Sequence, residues 1–157
     1  MSEMNNNTTI LAIDPGTKSG WCLRKPSGRV LSGVWNLKGG RFEGGGMRYV
    51  RFRRLLEEIM ASAEVSQVVF EEVRRHMGVD AAHVYGGLIA EITELCEQHK
   101  IPYEGIPVGT IKKYATGKGN ASKKMMLDAA YSKWPDVEIK DDNQADAMWL
   151  AECASMM

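Results

Sequence analysis

The chain has 157 residues, which fits one domain with its own hydrophobic core. Its apolar and charged fractions, 44% and 25%, are those of a soluble globular protein, and no apolar stretch approaches a membrane span. Twenty basic and twenty acidic residues cancel to a formal charge of zero, so the total argues neither for nor against a nucleic-acid partner.

The polar start lacks the basic and apolar regions of a signal peptide, so residues 1–7 are expected to be a flexible N-terminus and 8–157 a single domain. Cys22, Cys96 and Cys153 are odd in number, widely spaced and set in apolar contexts. They form no metal-ligand motif, and a reduced, cytoplasmic protein is expected.

The first element is the apolar run from Thr8 to Ile13, rich in β-branched residues and closed by Asp14-Pro15-Gly16, which reads as a buried strand. Trp21–Arg24 follows at once as a second strand, with a hairpin as the economical connection. Val30–Trp35 is a third, and Gly39-Gly40 with Gly44-Gly45-Gly46 marks a loop. Phe52, Leu55, Leu56, Ile59, Met60 and Ala63 then fall at helical spacing. Val68-Val69-Phe70 is a short buried strand ending in Glu71-Glu72. A helix from about Val79 to Glu97 presents Ala82, Tyr85, Gly86, Ile89, Ile92 and Cys96 on one side. Ile101-Pro102-Tyr103 begins an edge strand, where proline is tolerated. Two helical segments flank Gly117-Lys118-Gly119, and a last helix runs from about Asp142 to Ala154.

Acids stand out at the ends of these buried elements. A carboxylate where a buried strand ends is costly unless it is paired or holds a cation. Asp14 on its own would read as an Asp that organises the turn before Pro-Gly, but Glu71 repeats the arrangement. Asp142, Asp146, Trp149, Leu150 and Cys153 share one helical stripe, whose apolar members direct it to the core. Favourable interaction with the helix dipole explains Asp142 well and Asp146, a turn further in, poorly. Inward carboxylates with no obvious basic partner suggest a divalent-cation site, and all-oxygen ligation suits Mg²⁺ or Mn²⁺. Basic residues gather at Arg48–Arg54, at Arg74-Arg75, and at Lys112, Lys113, Lys118, Lys123 and Lys124. They make either a basic DNA-facing surface or plain solvated faces.

Four motifs, taken in order and at this spacing, resemble the RuvC-type Holliday-junction resolvases of the ribonuclease-H-like superfamily. They are Ile13-Asp14-Pro15-Gly16 with Gly20, Phe70-Glu71-Glu72, Gly117–Lys123, and Ala145-Asp146-Ala147. The resemblance implies an α/β fold with a five-stranded mixed sheet flanked by helices. It also implies a homodimer, four acidic ligands for two Mg²⁺ per subunit with Mn²⁺ able to substitute, and symmetric cutting of branched DNA. Asp14, Glu71 and Asp146 match three of the ligands. Lys123 matches a basic position near the scissile phosphate, and Lys112 or Lys113 another. Lys118, Lys124, Arg74 and Arg75 complete the implied DNA-binding set, and the Gly117–Gly119 backbone with the helix start after Ser122 could grip phosphate.

Two departures stand out. The family's fourth acid falls at Asn143, with Asp142 one residue earlier as a substitute ligand. The family's junction-wedging aromatic falls at Arg74, where Arg74-Arg75-His76-Met77 offers charge, guanidinium stacking and one flexible apolar side chain. Divergence from the bacterial pattern hints at a bacteriophage or prophage, so the compartment is a bacterial or infected-host cytoplasm.

Three alternatives remain. The Asp14-x-Gly16-x-x-x-Gly20 spacing also resembles the phosphate loop of actin-like ATPases, but those need two such domains, so no nucleotide cofactor is expected. A YqgF-type RNA-processing nuclease shares the opening motif without a strong counterpart to Gly117–Lys123. A catalytically weak junction-binding module would account for Asn143. The Ala82–Cys96 face either forms the dimer interface or simply covers the sheet.

Overall fold

The computed structural model describes residues 7–76 and 78–157. The segment expected to be flexible lies outside them apart from Asn7, and so does Met77. The strands are β1 (Ile10–Asp14), β2 (Lys18–Arg24), β3 (Val30–Asn36), β4 (Gln67–Glu72) and β5 (Tyr103–Pro107). The helices are α1 (Met47–Ser62), α2 (Val79–His99), α3 (Val108–Thr116), α4 (Lys123–Lys133) and α5 (Asp142–Ser155). Every element expected from the sequence is present and of the expected type.

One five-stranded mixed sheet has the order β3-β2-β1-β4-β5. Strands β1, β2 and β3 form an antiparallel meander, with Asp14 opposite Gly20. Strand β4 runs parallel to β1, and β5 closes the other edge parallel to β4.

Alternation along the strands divides the core in two. Leu11, Ile13 and Val68 pack on one face with Phe52 and Leu56 of α1 and Leu88, Ile92 and Leu95 of α2. Ile10, Ala12 and Val69 pack on the other with Ile111 of α3, Met126 of α4 and the length of α5. Asp14 is in phase with Ala12, and Glu71 with Val69. Both acids therefore project to the α5 side of the sheet.

One sequence expectation needs correction, and another, left open, is partly resolved. Helix α5 has no single inward stripe: Ala145, Ala147, Met148, Leu150, Ala151 and Cys153 are all buried, together with Gln144 and Glu152. It is wedged between the sheet and the pair α3–α4, so apolar side chains surround it and the 3.6-residue pattern disappears. In α2 the buried residues are Leu88, Ile92, Leu95 and Cys96, while Gly86 is exposed. Of the face read as either interface or sheet cover, Ile89, Ile92 and Cys96 pack on the core beneath α2, which is the sheet-covering reading for that part of it.

Candidate active site and metal centre

The site is built by strand phase and one close helix approach. The β1–β4 register sets Ile13 beside Phe70, which brings the next residues, Asp14 and Glu71, side by side. Helix α5 supplies Asp146 from above. Its N-terminus is held by Asp141, whose carboxylate accepts from the Gln144 N–H at 2.9 Å. Gln144 is buried, donates to Ser32 Oγ and the Glu138 carbonyl at 3.0 Å each, and accepts from the Lys140 N–H at 2.8 Å. The first turn of α5 then lies directly on β2, because Gly20 has no side chain there. A Cβ at Gly20 would overlap the Asn143 carbonyl.

Carboxylate oxygens of Asp14, Glu71 and Asp146 come within 4.8 Å of one another. Burial, reinforced by the charge of Glu71 and a hydrogen bond with it, holds the Asp14 carboxyl well above the ordinary range. Asp146 is pushed up to about 7, chiefly by burial and then by Glu71 and Asp142, with Lys112 and Lys123 opposing. Three converging carboxyl groups that repel one another, and offer only oxygen donors, fit a hard divalent cation.

Asp142 stands outside this trio. Its Oδ2 lies 3.7 Å from Lys123 Nζ, so one carboxylate expected to lack a basic partner has one. The Asn143 amide donates to Asp141 Oδ2 at 3.2 Å. Lys112 shares a recess with Glu71 and Asp146, while Lys113 is exposed beside it on α3. Lys124 is exposed and pairs with Asp128 at 3.0 Å, one helical turn on. Lys118 is exposed in the loop between α3 and α4. Ser122 caps α4 by accepting from the Met125 N–H at 3.2 Å. Arg74 and Arg75 are exposed beyond β4, Arg74 within 3.3 Å of Glu72.

One neighbour of the acids was not legible. The Tyr85 hydroxyl donates to the Glu71 carbonyl at 2.8 Å and accepts from the Val73 N–H at 3.1 Å. It ties the end of β4 to α2. The sequence signal was weak, a tyrosine on the apolar side of a helix, and nothing in it pointed to β4. Tyr85→Phe keeps the ring and removes both bonds. It should cost about 1–2 kcal/mol of stability. The Mg²⁺ concentration for half-maximal cleavage should rise while junction affinity stays near wild type, and an unchanged Mg²⁺ titration would count against the clamp.

The acids also set a pH trend. Asp146 titrates higher in the folded protein than in the unfolded chain, so between about pH 4 and 7 the folded state holds more protons. In chelator, stability should therefore fall as pH rises through that window, by on the order of 4 kcal/mol from this group. Melting curves of wild type and Asp146→Asn at pH 5 and pH 8 isolate it, and equal slopes for the two would refute the assignment.

The mixed sheet, its helices and the acidic centre define a class: a ribonuclease-H-like domain with carboxylates gathered at the ends of its central strands. No family model matches the chain. It is 26% identical over 158 residues to the crossover junction endodeoxyribonuclease RuvC of Nitratidesulfovibrio vulgaris, covering 96% of this chain and 92% of that one. Two Thermus thermophilus structures share the fold. RuvC in complex with Holliday junction substrate has a TM-score of 0.80 at 20% identity, covering 95% of this chain and 96% of that one. A further RuvC structure has a TM-score of 0.74 at 19% identity, covering 93% and 92%. The yeast mitochondrial Holliday junction resolvase Ydc2 has a TM-score of 0.64 at 16% identity, covering 95% of this chain and 78% of that one. In sequence and in fold the chain is similar to RuvC-type resolvases over nearly its whole length. Among the described residues, no helix is long and apolar enough to cross a membrane.

Proposed function

We propose that this protein is a metal-dependent, structure-selective DNA endonuclease that resolves four-way junctions by hydrolysing phosphodiesters. The convergence of Asp14, Glu71 and Asp146 carries the reading, and the RuvC likeness supports the substrate. Those three carboxylates would hold the cation, with Asp142 or Asn143 completing the set. Two bound Mg²⁺ or Mn²⁺ ions would supply a low-pKa water and neutralise charge on the leaving oxygen. Lys112 and Lys123, the two lysines whose charge reaches Asp146, face the phosphate and stabilise its transition-state charge. Arg74, Arg75, Lys113, Lys118 and Lys124 contact the backbone of the arms.

A homodimer would place two such centres for paired cuts in opposed strands, leaving 5′-phosphate and 3′-hydroxyl ends. The outward side of α2, with Val79, Gly86 and Ala90 exposed, is available for it. Junction binding without cleavage is the second reading, favoured by the pairing of Asp142 with Lys123.

Purified protein, labelled four-way junction and matched linear duplex, with and without Mg²⁺, test both. The expected result is paired nicks in the junction only, and only with Mg²⁺. Selective binding with no cut in Mg²⁺ or Mn²⁺ would leave the second reading. Equal cutting of duplex would overturn the first.

A further inference from the structure

Beside the acids lies an open cleft of about 780 Å³. Such a volume is typical of sites for small organic ligands. Its walls come from the turn after β1 (Pro15, Gly16 and Thr17), the turn after β4, and the N-terminal parts of α1 and α2. The cleft thus starts one residue after Asp14 and two after Glu71.

Its lining is unusual for a plain crevice. His76 and Tyr85 stand with ring centroids 4.8 Å apart at 47°, and Tyr49 lines the same space. Tyr49 is fixed against α2, where a Cβ on Gly87 would overlap its ring. Arg48 also lines the cleft, and its buried Nε has no hydrogen-bond partner among the described residues. A buried guanidinium nitrogen left unsatisfied is costly and calls for an acceptor. Asp80, the one carboxylate among the described residues of the lining, is exposed at the first turn of α2.

Flat aromatic groups, a cation wanting an oxygen acceptor, and an opening beside phosphodiester-cleaving acids fit one chemical class. We propose that the cleft takes an unpaired nucleotide out of the branched DNA, its base against His76 and Tyr85 and its phosphate on Arg48. A base inside a duplex has both faces stacked and cannot enter, so only an unpaired one is accepted. The site thereby reads strand discontinuity beside the scissile bond. This inference rests on the junction-nuclease reading, and the following test separates the two.

Binding would be measured in Ca²⁺ by anisotropy for wild type, His76→Ala and Arg48→Gln. The probes are a four-way junction, the same junction with abasic branch-point nucleotides, single-stranded oligothymidylate, its abasic counterpart, and linear duplex. Melting temperatures check folding, and His76→Ala, placed in the connection between β4 and α2, is read alone if Arg48→Gln unfolds. The cleft requires His76→Ala to weaken the intact junction and oligothymidylate about tenfold and the abasic probes less than about twofold. Equal losses on intact and abasic probes, or none, overturn it. Coupling on the single strand but not on a preferred junction overturns it too. If wild type binds junction no tighter than duplex but the single-strand coupling persists, the cleft stands and the junction reading falls.

Discussion

Asp146→Asn should leave a folded protein that binds four-way junctions and does not cut them. The change keeps the side chain's shape and removes the charge a hard cation needs. Loss of an outer-shell partner typically costs about 10–100-fold, so loss of a ligand should cost more. Junction affinity should hold or tighten, because one negative charge leaves the neighbourhood of Lys112 and Lys123. The metal-free variant should also melt higher than wild type at pH 8. A carboxylate pushed up to about 7 is a strained group there, and the amide relieves the repulsion. Single-turnover cleavage in Mg²⁺ and melting in chelator are the two measurements. Wild-type cutting by Asp146→Asn would end the metal-nuclease reading, whatever the binding shows.

Gly20→Ala should be the most damaging single methyl in the molecule. The added carbon would meet the Asn143 carbonyl and the Gln144 N–H, which are backbone atoms of a helix that cannot swing aside. Overpacking of this kind costs about 1–3 kcal/mol or more. For a chain of this size that is a drop of roughly 3–10 °C in melting temperature. The first turn of α5 must lift off β2, carrying Asp146 away from Asp14 and Glu71. Displacements near 1 Å at a reacting centre can cost about a hundredfold in rate. Gly39→Ala is the matched control, since a Cβ there meets nothing. Equal stability and activity in the two variants would remove Gly20 from the account.

The two central acids were legible because a strand's period of two leaves little freedom. Once β1 and β4 are buried, charged residues at their ends must either pair or hold a cation. Gly20 was legible only as part of a motif, since the sequence cannot show a helix crossing above it. Helix α5 was placed correctly and its stripe does face inward, but an amphipathic stripe presumes a wet side that this helix lacks. The Lys123–Asp142 pair joins α4 to α5, and no local pattern announces a contact of that kind. The Tyr85 clamp spans β4 and α2 for the same reason.

The burial of α5 has a consequence for how this protein loses its centre. Glu152 near the far end of the helix is tied to Arg24 of β2 at 3.0 Å, and the Trp149 indole N–H donates to the Met126 carbonyl of α4 at 3.3 Å. With Gln144 anchored at the near end, the segment bearing Asp146 is fastened to the sheet and to α4 along its length. Segments held this way open only with the whole molecule. In hydrogen exchange the α5 amides should therefore trade protons at the rate of global unfolding, slower than those of the loop between α3 and α4. Heat and denaturant should then abolish activity and tertiary structure in one transition, with no folded but disarmed form between them.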